Sequence, residues 1–257
     1  MKLTVLGCGP SAGVPLIGGI WGACDPLNPK NRRLRTSLLI QDQGRNLLID
    51  TSPDLRQQLI SNDIKKIDAV LYTHAHSDHA HGIDELRPIY FGSRQNPIPL
   101  YGSQETMAEI QRRFDYLFKP IESELAPVAY PYICESHVIE GSFQLWGHDI
   151  IAFNQDHGHS LTTGYRFKDF AYSTDVVRLD EAAFEVLKGV DTWFIDCLDQ
   201  TPKATHAHLD LTLSWIARVK PRRAILIHMN QNMDYEALRS ILPAGIEPAY
   251  DNMVIEI

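Results

Sequence analysis

A histidine-rich motif that directly follows an apolar run constrains this chain more than any other feature of its sequence. Residues 67–72 are mostly apolar and contain no proline, which is typical of a buried β-strand. The next ten residues, 73–82, contain four histidines and an aspartate, with the spacing H-x-H-x-D-H at 74–79. Imidazole and carboxylate groups bind Zn²⁺, Mn²⁺ or iron and contribute little to a hydrophobic core. The spacing therefore predicts a metal site at the end of a strand rather than a histidine-rich surface loop.

The composition is typical of one enzyme-sized domain without a membrane span. The 257 residues are 44% hydrophobic, which suffices for a full core in a single domain over residues 1–257. No apolar run approaches the roughly 18 residues of a membrane span, and residues 1–9 resemble a strand and glycine turn rather than a secretory signal. None of the four cysteines forms a CxxC pair, so no disulfide framework is indicated. We therefore expect a reduced, cytoplasmic protein.

The charge balance argues against a dedicated nucleic-acid-binding protein. The formal net charge is −8, whereas nucleic-acid binders show a basic surface. The densest basic run is short and comprises Lys30, Arg32, Arg33 and Arg35. Arginine can grip phosphate with two parallel hydrogen bonds, but we expect this run to be a solvated or acid-paired face. A small-molecule substrate therefore fits the chain better than a polymer.

Strands alternate with helices along the chain, which predicts α/β layers. The predicted strands are 3–8, 36–41, 46–50, 67–72, 98–102, 143–146, 149–153, 163–167, 170–173, 193–198, 224–228 and 253–257. The predicted helices are 53–61, 83–91, 104–114, 181–188, 209–219 and 235–242. In the first helix, Ser52 is the expected N-cap and Pro53 the first helical residue. Residues 119–134 lack a clear period and are expected to be irregular.

Metal-binding residue types recur where later predicted strands end. Asp149–Asn154 runs into His157 and His159, the strand at 170–173 is followed by Asp175, and the strand at 224–227 by His228. Strand ends converge on one edge of an α/β fold, where adaptable loops carry active sites. We therefore expect these distant residues to meet the motif at 74–79.

These motifs together resemble the metallo-β-lactamase superfamily. The resemblance rests on His74-x-His76-x-Asp78-His79 and on the later His, Asp and His, and it covers essentially the whole chain. Five further stretches resemble the superfamily's phosphodiesterase branch, in particular the phosphoribosyl cyclic phosphodiesterases of the carbon–phosphorus lyase pathway. They are residues 6–15, 48–54, 72–74, 173–175 and 206–211.

The resemblance implies a four-layer αβ/βα sandwich with two divalent metal ions at its edge. It assigns the first ion to His74, His76 and His157. It assigns the second ion to Asp78, His79 and His228, with Asp175 bridging both. Two cations about 3.5–4 Å apart need a shared anion between them, which fits this ligand count. Ligation by nitrogen and oxygen alone suits zinc or manganese.

One ligand position has an alternative. His157 and His159 are two residues apart, so on an extended segment their side chains would face the same way. His157 is favoured because it comes first after the strand, which leaves His159 beside the ligands. His81 lies outside the motif and is expected to be solvated or to lie next to the ligands.

The resemblance also implies hydrolysis of a phosphodiester by a metal-bridging hydroxide. Asp78 would orient the nucleophile while binding metal. His208 would contact the phosphate and protonate the leaving oxygen, a task that suits a group titrating near neutral pH. His206 is the alternative for this role, and helix capping is the alternative explanation for His208.

Some sequence features depart from that branch, which often carries an additional structural zinc site. Its cysteines would fall within residues 21–28, where this chain offers only Cys24, and no histidine follows His228. We therefore expect no such site, and instead a loop held by the packing of Trp21 and of prolines 26 and 29.

The predicted function is therefore a dinuclear metal-dependent phosphodiesterase acting on small, including cyclic, phosphodiesters. Three alternatives stay open: a transfer-RNA 3′-processing endonuclease, a lactonase or thioesterase, and a non-catalytic metal-binding pathway protein. The endonucleases generally carry a basic or Gly/Pro-rich RNA-holding arm, which the sequence does not show. The resemblance further suggests a homodimer.

Overall fold

The computed structural model describes residues 1–93, 96–120 and 131–257. Within them the chain forms fourteen strands and seven α-helices. The strands are β1 Lys2–Gly7, β2 Ser37–Asp42, β3 Arg45–Ile49, β4 Ala69–Leu71, β5 Ile98–Gly102, β6 Cys134–Val138, β7 Ser142–Leu145, β8 His148–Asp156, β9 Leu161–Arg166, β10 Phe170–Ser173, β11 Thr192–Asp196, β12 Arg223–Ile227, β13 Ile246–Pro248 and β14 Met253–Glu256. The helices are α1 Leu55–Ser61, α2 Ser77–Ala80, α3 Leu86–Ser93, α4 Gln104–Arg113, α5 Glu181–Leu187, α6 Leu209–Val219 and α7 Tyr235–Ile241, and 3₁₀ turns form at Pro29–Asn31, His81–Glu85 and Asp115–Leu117.

The strands form two mixed seven-stranded sheets. The first has the order β14-β1-β2-β3-β4-β5-β6, and the second β13-β12-β11-β10-β9-β8-β7. In the first sheet, β3 to β6 are parallel and the other pairs antiparallel. In the second, β10 to β13 are parallel and β7 to β10 antiparallel. Each sheet therefore has a parallel half whose strands end at one edge.

The first sheet is buried on both faces, so the hydrophobic core has two layers. Along β2, Leu38 and Ile40 pack toward the second sheet, while Leu39 packs toward helices on the outer face. Alternate side chains of a strand point to opposite faces, so this pattern requires cover on both sides. Helices α1, α3 and α4 cover the outer face of the first sheet, and α5, α6 and α7 pack against the second. The predicted αβ/βα sandwich is confirmed.

Most predicted elements match within two or three residues, but the start of α1 is wrong. The helix begins at Leu55 with Asp54 as its N-cap, not at Pro53 after Ser52. The hydroxyl of Ser52 donates to Gln58 Oε1 at 2.9 Å and also accepts from Asp54 N at 3.2 Å. Ser52 therefore still satisfies a backbone N–H in the turn that leads into the helix, whereas the side chain of Asp54 makes no capping hydrogen bond. The preceding residue, Thr51, pairs with the histidine motif, from Thr51 N to His79 O at 2.8 Å.

Two short strands, β6 and β13, were not predicted. Strand β6 begins inside the segment expected to be irregular, whose residues 121–130 lie outside the described part of the chain. Strand β13 has only three residues, too few for a period-two pattern. Among the described residues, no helix is long and apolar enough to span a membrane.

The loop between β1 and β2 is held against the segment after β12 by a buried arginine. Arg33 is 2% exposed, and its guanidinium donates to the carbonyl oxygens of Asn230 at 2.9 Å and Met233 at 2.5 Å. Nearby, Asn31 Nδ2 donates to Asp234 Oδ2 at 2.6 Å. The expectation of a solvated or acid-paired face is wrong for Arg33, because the fold surrounds it with carbonyl acceptors. The expectation of an acid-paired side chain holds for Arg35, whose Nε lies 3.0 Å from Asp54 Oδ2.

Replacing Arg33 with methionine should destabilise the protein strongly. The change leaves the carbonyls of Asn230 and Met233 without their donor, at a cost of about 3 kcal/mol in the free energy of unfolding. The matched variant Arg32→Met removes an exposed guanidinium that lies over the Trp21 ring at 5.0 Å and should cost less than about 1 kcal/mol. Urea denaturation measures both values. Equal losses in the two variants would contradict the structural role of Arg33.

Candidate metal centre

The histidine motif forms a tight turn between β4 and the 3₁₀ helix. His76 is extended, and its carbonyl accepts hydrogen bonds from His79 N at 3.1 Å and Ala80 N at 3.0 Å. These bonds close the single turn α2, which buries Asp78 and His79. Because of this turn, the side chains of Asp78 and His79 lie in the protein interior.

A first cluster of possible ligands consists of His74, His76, His157 and Asp175, whose donor atoms lie within 4.8 Å of one another. His74 Nε2 is 2.9 Å from His76 Nδ1. The Nε2 atoms of His74 and His157 lie 3.6 Å and 3.7 Å from Asp175 Oδ2. His159 is exposed and lies outside the cluster. Of the two histidines considered for this position, the structure brings His157 to the site.

A second cluster consists of Asp78, His79, Asp175 and His228, all buried. His79 Nε2 lies 3.4 Å from Asp78 Oδ2 and 3.1 Å from Asp175 Oδ1. His228 Nδ1 is 3.5 Å from the same oxygen of Asp175. The two carboxylate oxygens of Asp175 therefore face different clusters, which is the arrangement that a bridging ligand needs.

Hydrogen bonds hold the imidazoles of both clusters with one nitrogen turned inward. His79 Nδ1 lies 2.7 Å from Asp50 Oδ2, and His157 Nδ1 lies 2.7 Å from the carbonyl of Thr205. Asp50 also accepts hydrogen bonds from the backbone N–H and hydroxyl of Thr73, at 2.8 Å and 2.7 Å. Such partners fix the tautomer of a metal-binding histidine and increase its basicity. His228 differs, because its Nδ1 faces Asp175 Oδ1 at 3.5 Å and also lies 3.1 Å from the Thr36 hydroxyl.

The donor set fits divalent metal ions. His79 Nε2 is buried and has no hydrogen-bond partner among the described residues, although an unsatisfied buried polar atom is costly. Burial, together with the nearby His79, holds the pKa of His74 well below its usual range, which favours the neutral form that can bind a metal ion. Neutral imidazoles and carboxylates are the ligands that zinc and manganese take.

His206 adjoins both clusters, whereas His208 begins helix α6. The His206 ring centre lies 4.7 Å from that of His157 and 4.9 Å from that of His228. Its Nδ1 is 3.0 Å from Asp196 Oδ2, and its Nε2 is 3.9 Å from Asp175 Oδ2. Burial opposes protonation of His206, but the charge and hydrogen bond of Asp196 raise its pKa to about 9. His208 is half-buried at the N-cap of α6, and its side chain makes no capping hydrogen bond.

Sequence reasoning missed the residues that support the clusters. Asp50 and Asp196 both sit at the end of a strand, the same signal that pointed to Asp175. His81, predicted to be solvated or beside the ligands, is exposed and its ring lies 5.8 Å from Phe114.

The chain belongs to the β-lactamase superfamily, whose domain model matches residues 45–229. The predicted superfamily membership is thereby confirmed.

Individual relatives give more detail. The crystal structure of a diphosphatase from the PhnP family superimposes with a TM-score of 0.89 at 35% sequence identity, covering 100% of this chain and 97% of that one. An octanoyltransferase of Porphyromonas gingivalis is 30% identical over 256 residues, which is 98% of this chain and 51% of that protein. A ribonuclease Z of Clostridium kluyveri is 30% identical over 185 residues, 69% of this chain and 50% of that protein. The chain thus spans about half the length of the curated relatives it matches.

Replacing His157 with alanine should remove one metal equivalent per chain, because the first cluster loses a buried donor. His159→Ala is the matched control, since it removes an exposed imidazole two residues away, and it should keep the full metal content. Elemental analysis after dialysis against metal-free buffer measures both. Loss of metal from the His159 variant alone would reverse the assignment.

Replacing Asp50 with asparagine should weaken metal binding without removing a ligand. The neutral amide no longer fixes His79 as the carboxylate does, and loss of such a partner costs about 10–100-fold in metal affinity. Competition with a chromogenic chelator measures the dissociation constant. Asp63→Asn, at an exposed turn residue, should leave it unchanged, and an unaltered affinity in the Asp50 variant would argue against this support.

Proposed function

We propose that this chain is a dinuclear metal-dependent hydrolase, and specifically a phosphodiesterase for small, including cyclic, phosphodiesters. The observation that carries the proposal is the position of Asp175, whose two carboxylate oxygens face two separate groups of donors. The likeness to a PhnP-family diphosphatase over the whole chain supports phosphoester chemistry. We further propose that residues 1–257 act as one catalytic domain.

The proposed ligands are divided between two ions. His74, His76 and His157 would hold the first, and Asp78, His79 and His228 the second, with Asp175 shared. When bound, such ions lower the pKa of a coordinated water and polarise a phosphoryl oxygen. The Asp78 carboxylate lies at the inner edge of the second cluster, where it can accept a hydrogen bond from the attacking water and orient it.

His206 is the favoured proton donor to the leaving oxygen, with His208 as the alternative. Asp196 accepts from His206 Nδ1 and so leaves Nε2 facing the site. A protonated Nε2 can donate its proton to the leaving oxygen as the bond to phosphorus breaks, and the negative charge of Asp196 keeps His206 protonated before that step. Asp196 is therefore a positioning residue in this proposal.

Two rival activities have specific support. The likeness to ribonuclease Z favours an endonuclease, although the net charge of −8 is unfavourable for RNA binding. The likeness to the octanoyltransferase favours a reaction on an octanoyl group, for which an acyl thioester is a test substrate, although that protein is about twice as long as the matched region. These activities, lactone hydrolysis and a non-catalytic role are separate outcomes of one substrate panel.

The decisive experiment combines metal analysis with that panel. Protein loaded with Zn²⁺ or Mn²⁺ is assayed against bis(p-nitrophenyl) phosphate, a precursor transfer RNA, an octanoyl thioester, lactones and a cephalosporin. Two metal equivalents with diester turnover support the proposal, and comparison of the two loadings identifies the active metal. Thioester or lactone turnover without diester turnover, or no turnover at all, would overturn it.

The proposal also covers the cellular location and the oligomeric state of the protein. All four cysteines are buried and unpaired, which supports a reducing, cytoplasmic environment. A homodimer is also proposed from the resemblance, and light scattering of the purified chain tests it.

Replacing His206 with alanine should lower kcat for an alkyl phosphodiester by about 10²–10⁴-fold. The loss should be smaller for a p-nitrophenyl diester, because that leaving group needs less protonation. His208→Ala is the paired variant and should retain most activity, and both should keep their metals. A larger loss in the His208 variant would transfer the role to His208. Loss of metal from the His206 variant would make it a ligand.

A further inference from the structure

Two cavities lie beside helix α4, and the nearer one borders the first metal cluster. The nearer, of about 220 Å³, reaches His74 and His76 and is bounded by Glu105, Glu109 and Arg113. The farther, of about 480 Å³, shares Glu105 and Leu161 with the first and ends near Glu140. The two cavities are together called the α4 groove, and their volumes suit a small molecule.

The charges of the α4 groove are mostly negative. Among the described residues that line it, Arg113 is the only lysine or arginine, against three glutamates: Glu105, Glu109 and Glu140. Arg113 is already engaged, because its Nε lies 2.6 Å from Glu109 Oε1 and its Nη1 donates to the carbonyl of Ala75 at 2.5 Å. Glu109 is shared with Arg112, whose Nε and Nη2 donate to its two oxygens at 2.8 Å and 2.7 Å. Arg113 therefore keeps part of its positive charge, although two of its nitrogens are occupied by Glu109 and Ala75.

Two carboxylates remain for a ligand. Glu105 and Glu140 are exposed, and neither has an ion-pair partner within the described ranges. Ionised carboxylates accept hydrogen bonds and cannot donate them. They favour hydroxyl or ammonium groups and repel a second anion that lies within a Debye length, roughly 8–10 Å at moderate salt.

We propose that the α4 groove binds the second alcohol substituent of the phosphodiester and selects a cationic or neutral, hydrogen-bond-donating group over an anionic one. This inference rests on the proposed function for the position of the phosphoryl group. His206 adjoins His157 and His228, whereas the groove adjoins His74 and His76. The retained substituent and the leaving oxygen therefore border different parts of the site.

Product-like monoesters test the groove by binding, independently of turnover. Titration calorimetry on the metal-loaded protein gives dissociation constants for phosphocholine, ethylene glycol phosphate and 2-phosphoglycolate, whose alcohol parts are cationic, neutral and anionic. We expect phosphocholine to bind about tenfold more tightly than 2-phosphoglycolate, since each exposed carboxylate contributes roughly threefold. Ethylene glycol phosphate should fall between them, and the ratio should shrink in 0.5 M salt.

Variants of Glu105 test whether the preference for phosphocholine over 2-phosphoglycolate arises in the α4 groove. Glu105→Gln should lower the ratio by about threefold, and Glu105→Lys should lower it further or reverse it. Glu236→Gln removes an exposed carboxylate on α7 and should leave the ratio unchanged. Melting temperature and metal content confirm that each variant is intact.

The outcomes separate this inference from the proposed function. Equal or tighter binding of 2-phosphoglycolate, a ratio that ignores Glu105, or no binding of any monoester would overturn the inference. The p-nitrophenyl phosphodiesters of choline, ethylene glycol and glycolic acid are assayed in parallel. Failure of all three to turn over, with the binding preference intact, would overturn the phosphodiesterase proposal alone.

Discussion

The buried carboxylate of Asp175 is the group on which both clusters of the site depend. It is 2% exposed and has His74 and His157 on one oxygen and His79 and His228 on the other. Burial disfavours a charged carboxylate, but the surrounding histidines outweigh it and hold the pKa of Asp175 well below its usual range. Without this anion, two neighbouring cations would face each other with no protein charge between them.

The two sheets together create the place where that anion can be held. Asp50, Asp175 and His228 follow parallel strands of both sheets and all adopt left-handed backbone conformations, with φ of 62°, 51° and 59°. Such conformations cost about 1–3 kcal/mol each for residues with a side chain and persist when their surroundings enforce them. Here hydrogen bonds enforce them, from Asp50 N to Leu71 O and from Val176 N to Asp196 Oδ2, both at 2.9 Å. The side chains at these three turns lie in the second cluster or, for Asp50, 2.7 Å from its His79.

The sequence pointed to the residues of the two clusters more clearly than to the residues that hydrogen-bond to the site histidines. The H-x-H-x-D-H spacing is local, so one turn of chain brings its members together, and Asp175 and His228 were marked by their positions after apolar strands. Asp50 and Asp196 occupy equivalent positions, but only the strand order shows that they lie beside His79 and His206. The start of α1 lies two residues later than predicted, at a place where Ser52 and Asp54 are both residue types that favour an N-cap.

Arg33 shows the limit of composition rules. Arginine is usually exposed, and nothing near position 33 indicates that carbonyls almost 200 residues later need a donor. The same contact ties the loop between β1 and β2 to the segment directly after His228, through a buried guanidinium bound to neutral carbonyls.

In the proposed site, the residues that carry out the reaction differ from those that select the substrate. The superfamily domain is common to this chain and to relatives named as a diphosphatase, a ribonuclease and an octanoyltransferase, so the domain alone does not define a substrate. The α4 groove does carry such information, because each further phosphate on a ligand adds repulsion from Glu105 and Glu140, whereas a hydroxyl or ammonium group adds attraction. A phosphate that lies in the groove itself would be repelled by these two carboxylates, whereas a phosphate at the clusters would face the proposed metal ions. In this proposal, the preference among substituents comes from the exposed carboxylates rather than from the buried histidines.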